Sequence, residues 1–123
     1  MSDTQIDAQS YLPLTAPVFH VLLALADEAK HGYAILKEVK ERTDGKVHLS
    51  SGTLYAIIKR LLNSGLIDEI EDRRAQADER RRYYRLTRLG RRVGEAETRR
   101  MEKLVRTAEQ KRLVPKIRWE GSR

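Results

Sequence analysis

Between Ser50 and Gly65 the apolar residues Leu54, Ile57, Ile58, Leu61 and Leu62 recur at i, i+3, i+4, i+7 and i+8, the stripe of an amphipathic helix. Ser50 is placed to cap its first turn and Gly65 to end it in the left-handed conformation. Upstream, Thr15 caps a helix that begins at Ala16 and tolerates Pro17 in its first turn. Its residues Val18, Phe19, Val21, Leu22, Leu23 and Leu25 are apolar nearly all round, so it is expected at the centre of the core. A second helix opens at His31-Gly32-Tyr33 and runs to about Thr43, burying Ile35, Leu36 and Val39, before Asp44-Gly45 ends it. Residues 46–49 read as extended, enough for a short strand. After Gly65 the period shortens to two: residues 66–71 and 82–86 are strand candidates joined by a polar, arginine-bearing loop, which makes a β-wing. Thr87 caps a final helix from Arg88 to about Leu113, with an imperfect stripe of Leu89, Val93, Ala96, Met101, Leu104, Val105 and Ala108. A helix of that length is about 38 Å long, more than a small domain can cover, so its surplus stripe predicts dimerisation through a second copy.

The fold class expected is mainly α with a small β-wing: a winged helix-turn-helix with a long C-terminal dimerisation helix. Residues 1–14 form a flexible arm, 15–87 the winged-helix domain, 88–114 the dimerisation helix and 115–123 a tail.

Composition narrows the function classes. The chain of 123 residues has no cysteine, which removes disulfides and thiolate metal sites. Its N-terminus lacks the basic start and apolar core of a signal peptide, and the longest apolar run, 18–26, is too short to span a bilayer. A cytoplasmic protein without membrane association is expected. His20, His31 and His48 share no ligand spacing, so neither metal nor cofactor is expected, and His20 reads as a core-edge residue. No nucleophile elbow, phosphate-cradling glycine loop or close acid pair is present, which argues against an enzyme.

Charge is concentrated. Residues 73–92 carry nine arginines against Asp78 and Glu79, a surplus equal to the net charge of +7 of the whole chain. Arginine's planar fork suits phosphate, so a local block of it points to an anionic partner.

These features converge on double-stranded DNA. The polar face of the 50–65 helix begins with Ser51, Gly52 and Thr53, small and hydroxylic residues that permit close approach to phosphates and the groove floor, followed by Tyr55, Lys59 and Arg60. His31 and Tyr33 would anchor the second helix on the flanking backbone. Arg73, Arg74, Arg80, Arg81 and Arg82 would lay the wing along or in the minor groove. Each has a plainer alternative. Tyr55 can be a buried edge residue, the wing arginines a solvated loop, and Arg91 and Arg92 partners in surface ion pairs. Trp119, near Ile117, reads as a packing residue of the tail ahead of a ligand-stacking one.

The chain resembles the PadR family of winged helix-turn-helix regulators, in its short form with one C-terminal helix. The match rests on His31-Gly32-Tyr33, Ser51-Gly52-Thr53-Leu54-Tyr55, Leu61 with Gly65-Leu66-Ile67, and Arg82-Tyr83-Tyr84-Arg85-Leu86-Thr87 with Gly90. It departs at Ala56, where the family usually has proline, and in the acidic residues Asp78 and Glu79 of the wing tip. The resemblance implies a homodimeric regulator, usually a repressor, on an inverted-repeat operator, often released on sensing a phenolic compound, drug or other signal, with a small aromatic effector as a candidate partner. The rival reading is a winged-helix interaction module that binds an acidic protein partner or RNA.

Overall fold

Side-chain acceptors start all four helices of the described residues, which in this computed structural model are 8–71 and 82–116. Thr15 caps α1 (Ala16–Ala24), accepting from the Val18 N–H. His31 caps α2 (Gly32–Arg42) through Nδ1, at 3.2 Å from the Ala34 N. Ser50 caps α3 (Ser51–Asn63), its Oγ 3.0 Å from the Thr53 N. Thr87 caps α4 (Arg88–Gln110), its Oγ1 2.9 Å from the Gly90 N. Each satisfies an amide that the first turn otherwise leaves without a partner.

The chain ends α3 as the glycine predicts. Gly65 has φ +76°, the Leu66 N–H bonds the Leu61 carbonyl and the Gly65 N–H bonds that of Leu62, the paired arrangement of a Schellman cap. α3 buries Leu54, Ile57, Ile58 and Leu61, while Ile35 and Val39 of α2 and Val21 and Leu22 of α1 complete the centre of the core.

The sheet has three antiparallel strands, ordered β1-β3-β2, with β1 Lys30–His31, β2 Ile67–Glu71 and β3 Arg82–Leu86. Its first strand is not at residues 46–49, where an extended segment was expected. The turn that ends α2 leads into that segment instead: Asp44 and Gly45 have φ 53° and 77°, and the Val47 N–H bonds Thr43 Oγ1. Lys30 and His31 instead pair with Tyr84 and Tyr83. In the β2–β3 ladder Ile67 faces Leu86, Glu69 faces Tyr84 and Glu71 faces Arg82. These residues share one face of the sheet, apolar where it meets the core and charged where it leaves it.

Two expectations about burial need correction. α1 is not enclosed: Val18, Val21, Leu22 and Ala24 are buried, but Leu23 is 39% exposed. It flanks an open groove of about 310 Å³ between α1 and α4, walled by Phe19, Leu22, Leu23, Gly94 and Thr98. In the predicted dimerisation stripe, Val93 is fully buried and Ala96 is 8% exposed, because the first turns of α4 pack on α1, β3 and the N-terminal segment. Those two residues serve the core of one protomer. Leu89 is partly buried against the same core, Val105 and Ala108 are half-buried, and Met101 and Leu104 are exposed.

Of the residues expected to form an arm, 1–7 lie outside the described residues and 8–14 are packed. Ala8–Tyr11 is a 3-10 turn with Ala8 buried, and Tyr11, Leu12 and Leu14 lie against the core. The segment is fastened by Glu97, a fully buried carboxylate that accepts from the Leu14 N–H at 3.1 Å and from Arg100 Nε and Nη2 at 2.5 and 3.1 Å.

The corner between the wing and α4 has no slack. Thr87 Oγ1 donates to the Gly65 carbonyl at 2.7 Å and the Thr87 N–H to that of Leu66 at 3.1 Å. A Cβ on Gly90 would collide with the Leu66 carbonyl, so only glycine fits that approach.

Candidate nucleic-acid interface

The cap that starts α3 also fixes what it presents. Ser50 Oγ accepts from the Thr53 N–H and donates to Thr53 Oγ1 at 2.9 Å, locking the first turn. With Leu54, Ile57, Ile58 and Leu61 turned inward, Ser51, Gly52, Thr53, Tyr55, Lys59 and Arg60 are all exposed. Ser51, Tyr55 and Lys59 follow one another at i, i+4 and i+8 along one face. Among the described residues, a Cβ on Gly52 would meet nothing within 4 Å. Their packing therefore does not require glycine there.

Tyr55 joins the second helix to this face. Half exposed, it rests its hydroxyl against the α-carbon of Gly32, where any Cβ would clash with it. One edge of the ring is packed on Gly32 and the other is open, so Tyr55 is not the buried edge residue of the plainer reading. His31, Gly32, Tyr33, Tyr55, Arg82 and Tyr84 line a single open cavity of about 400 Å³. The start of α2, the middle of α3 and the base of the wing meet there. Tyr33 is 67% exposed, and its ring stacks near that of His31, with centroids 6.4 Å apart. His31 also meets Tyr83 edge-on at 5.4 Å. With Nδ1 committed to the cap, His31 positions the start of α2 and the aromatic pair beside it. Burial, and then the carboxylate of Glu69, push the Tyr84 hydroxyl above its ordinary pKa, so it stays a neutral donor.

Of the predicted wing arginines, Arg82 lies in this cavity, whereas Arg73, Arg74, Arg80 and Arg81, like the acidic tip and Trp119, lie outside the described residues. Arg82 does not stand alone: its Nε is 3.5 Å from Glu69 Oε2. Arg85 pairs with Asp68 at 3.9 Å on the opposite face of the hairpin. Arg91 donates to the Ala26 carbonyl at 2.8 Å, a bond that ties α4 to the end of α1.

Sequence reasoning passed over Glu69, which was detectable by setting the two strands in register, and over the packing of Tyr55 on Gly32, which carried no local signal because the two residues lie on different helices. Among the described residues no group of three or more His, Asp or Glu could hold a metal ion, and no helix is long and apolar enough to cross a membrane.

An exposed helix start beside a two-stranded hairpin is the arrangement of a winged helix-turn-helix, and comparison with known proteins agrees. Residues 21–96, more than half of the chain, match the transcriptional regulator PadR-like family. The chain belongs to that family. Its fold is similar to that of a PadR family transcription regulator from Clostridium difficile R20291, with a TM-score of 0.67 and 27% identity, over 76% of this chain and 94% of the other. RosR of H. salinarum is similar at a TM-score of 0.58 and 28% identity, over 79% of each chain. The chain is also 30% identical over 70 residues to Uncharacterized protein X of Lysinibacillus sphaericus. That alignment covers 57% of this chain and 63% of the relative's length, less than two thirds of it. The family is one of transcriptional regulators.

Proposed function

We propose that this PadR-like regulator is a homodimeric repressor that binds an inverted-repeat operator and is released from it by a small aromatic effector. The observation that carries the reading is the open α3 face, where Gly52 leaves space that none of the described residues uses, with Tyr55 and Arg82 at its flank. Ser51, Gly52 and Thr53 seat the helix start on phosphates and the groove floor. Lys59 and Arg60 reach phosphates or base edges from the next turns. Tyr33 and the His31 corner rest on the flanking backbone. The wing arginines Arg73, Arg74, Arg80, Arg81 and Arg82 follow the neighbouring minor groove.

Dimerisation rests on the second half of α4, where Met101 and Leu104 are exposed with Val105 and Ala108 beside them. The apolar groove between α1 and α4 is the surface that a partner helix covers, and it gives a flat effector a place at the interface. Two recognition helices then stand about 34 Å apart, one turn of duplex.

Selection of bound sequences from a random duplex pool, with and without candidate aromatic compounds, tests this. One palindrome should be preferred to random DNA by roughly 4 kcal/mol or more at fixed salt. If the dimer neutralises about 6–10 phosphates, affinity should fall roughly 10³- to 10⁵-fold between about 50 and 200 mM salt. A monomer at working concentration, or a complex indifferent to salt and sequence, refutes the proposal.

A further inference from the structure

The wing's base carries a carboxylate where a DNA-binding surface has no evident use for one. Glu69 is exposed, lies on the same face of the hairpin as Arg82, and holds Arg82 Nε at 3.5 Å on the diagonal of the ladder. Glu71 stands directly opposite Arg82 in the register. Arg82, 77% exposed in its side chain, lines the cavity that Tyr33 and Tyr55 share. A duplex seated on Tyr55 brings its phosphates to the guanidinium that Glu69 occupies in the free protein. An exposed ion pair of this length is weak, so a phosphate at contact distance can displace the carboxylate.

We propose that Glu69 is an affinity-setting residue: its carboxylate occupies Arg82 in the free protein and must be displaced by a backbone phosphate when DNA is seated. The effect is a brake on DNA binding that acts through Arg82. It rests on the DNA-binding reading above and adds to it a residue of the opposite charge. Asp68 provides the internal comparison. It is the next residue in the chain, with the same charge and a similar pair to Arg85, but it lies on the other face.

Glu69→Gln should bind the selected operator duplex about 2- to 5-fold more tightly at fixed salt, a gain set by no longer having to break one weak, exposed ion pair to free Arg82. Its salt dependence should steepen by up to about 0.9 in log–log slope for each Arg82 released to the backbone. Asp68→Asn should change neither. In an Arg82→Ala background the gain from Glu69→Gln should vanish, which a general charge effect or a structural role would not produce. Glu69→Gln/Glu71→Gln is measured alongside, so that Glu71 cannot take over the pair and hide the effect. Melting temperatures of all variants control for folding. No gain in either the single or the double glutamine variant, or a gain that survives Arg82→Ala, overturns the inference. Wild-type protein without operator preference overturns the functional reading instead, so the two failures are distinct.

Discussion

Glu97→Ala tests whether the N-terminal segment is held by one buried carboxylate. The side chain is fully buried and accepts three hydrogen bonds, one from the Leu14 N–H and two from Arg100. Removing it leaves the Leu14 amide without that acceptor, at a cost of about 1–3 kcal/mol. Arg100 loses its charged partner, but its side chain is 36% exposed and can turn to water. The cost therefore stays below the roughly 3–5 kcal/mol of a fully enclosed broken pair. A loss of about 2–3 kcal/mol is expected, which lowers the melting temperature by roughly 8–15 °C for a domain of this size. Chemical denaturation gives the first quantity, and hydrogen exchange at the Leu14 amide should accelerate by a similar free energy. The pH dependence has a definite sign. The Arg100 hydrogen bonds hold the Glu97 pKa below its ordinary 4.5, against an opposing effect of burial, so the native state favours the ionised form. That contribution is fully present above pH 4.5 and is lost as pH falls through the depressed native value, so wild type and variant should converge in acid. A loss below about 0.5 kcal/mol with unchanged exchange at Leu14 would refute the account of the latch.

Gly32→Ala should separate stability from DNA binding. The new methyl displaces only the end of the Tyr55 side chain, so stability should shift by less than about 1 kcal/mol, while operator affinity falls roughly tenfold if Tyr55 contributes one charged hydrogen bond to phosphate. His20 should make the fold sensitive to mild acid. Its Nδ1 accepts from Arg42 Nη1 at 2.8 Å, and burial, then the Arg42 charge, lower its pKa from 6.5. Stability from neutral His20 is present above pH 6.5 and lost as pH falls through the native value. Calorimetric melting across that range should show a decline that His20→Gln removes, and an unchanged decline in the variant would count against it.

Local chemistry carried most of the fold into the sequence. Thr15, Ser50 and Thr87 announce helix starts because each cap acts within three residues, and Gly65 announces an end because a left-handed residue there favours glycine. The misreadings all concern partners distant in the chain. Lys30–His31 is too short to show any period, and it is a strand only because β3 lies beside it. The stripe from Leu89 to Ala108 looks uniform, although Val93 and Ala96 are buried in the core of the protomer while Met101 and Leu104 are exposed. Glu97 on a charged helix reads as solvated, since nothing local shows that Leu14 will arrive above it. The outward face of α3 was more accessible, because Ser51, Gly52, Thr53 and Tyr55 sit opposite an apolar stripe that fixes which way they face. Glu69 required the hairpin's register, and the contact of Tyr55 with Gly32 required the crossing of two helices.

The glycine-tight corner has a mechanical meaning. Gly65 and Leu66 close the recognition helix, and Thr87 and Gly90 of the rod helix are bonded and pressed onto those same two residues. Probe and rod are therefore parts of one crank with a stiff elbow. In the proposed dimer, tilting the rods by a few degrees swings the two probes toward or away from one another, and the spacing of two grooves on a duplex does not adjust to follow them.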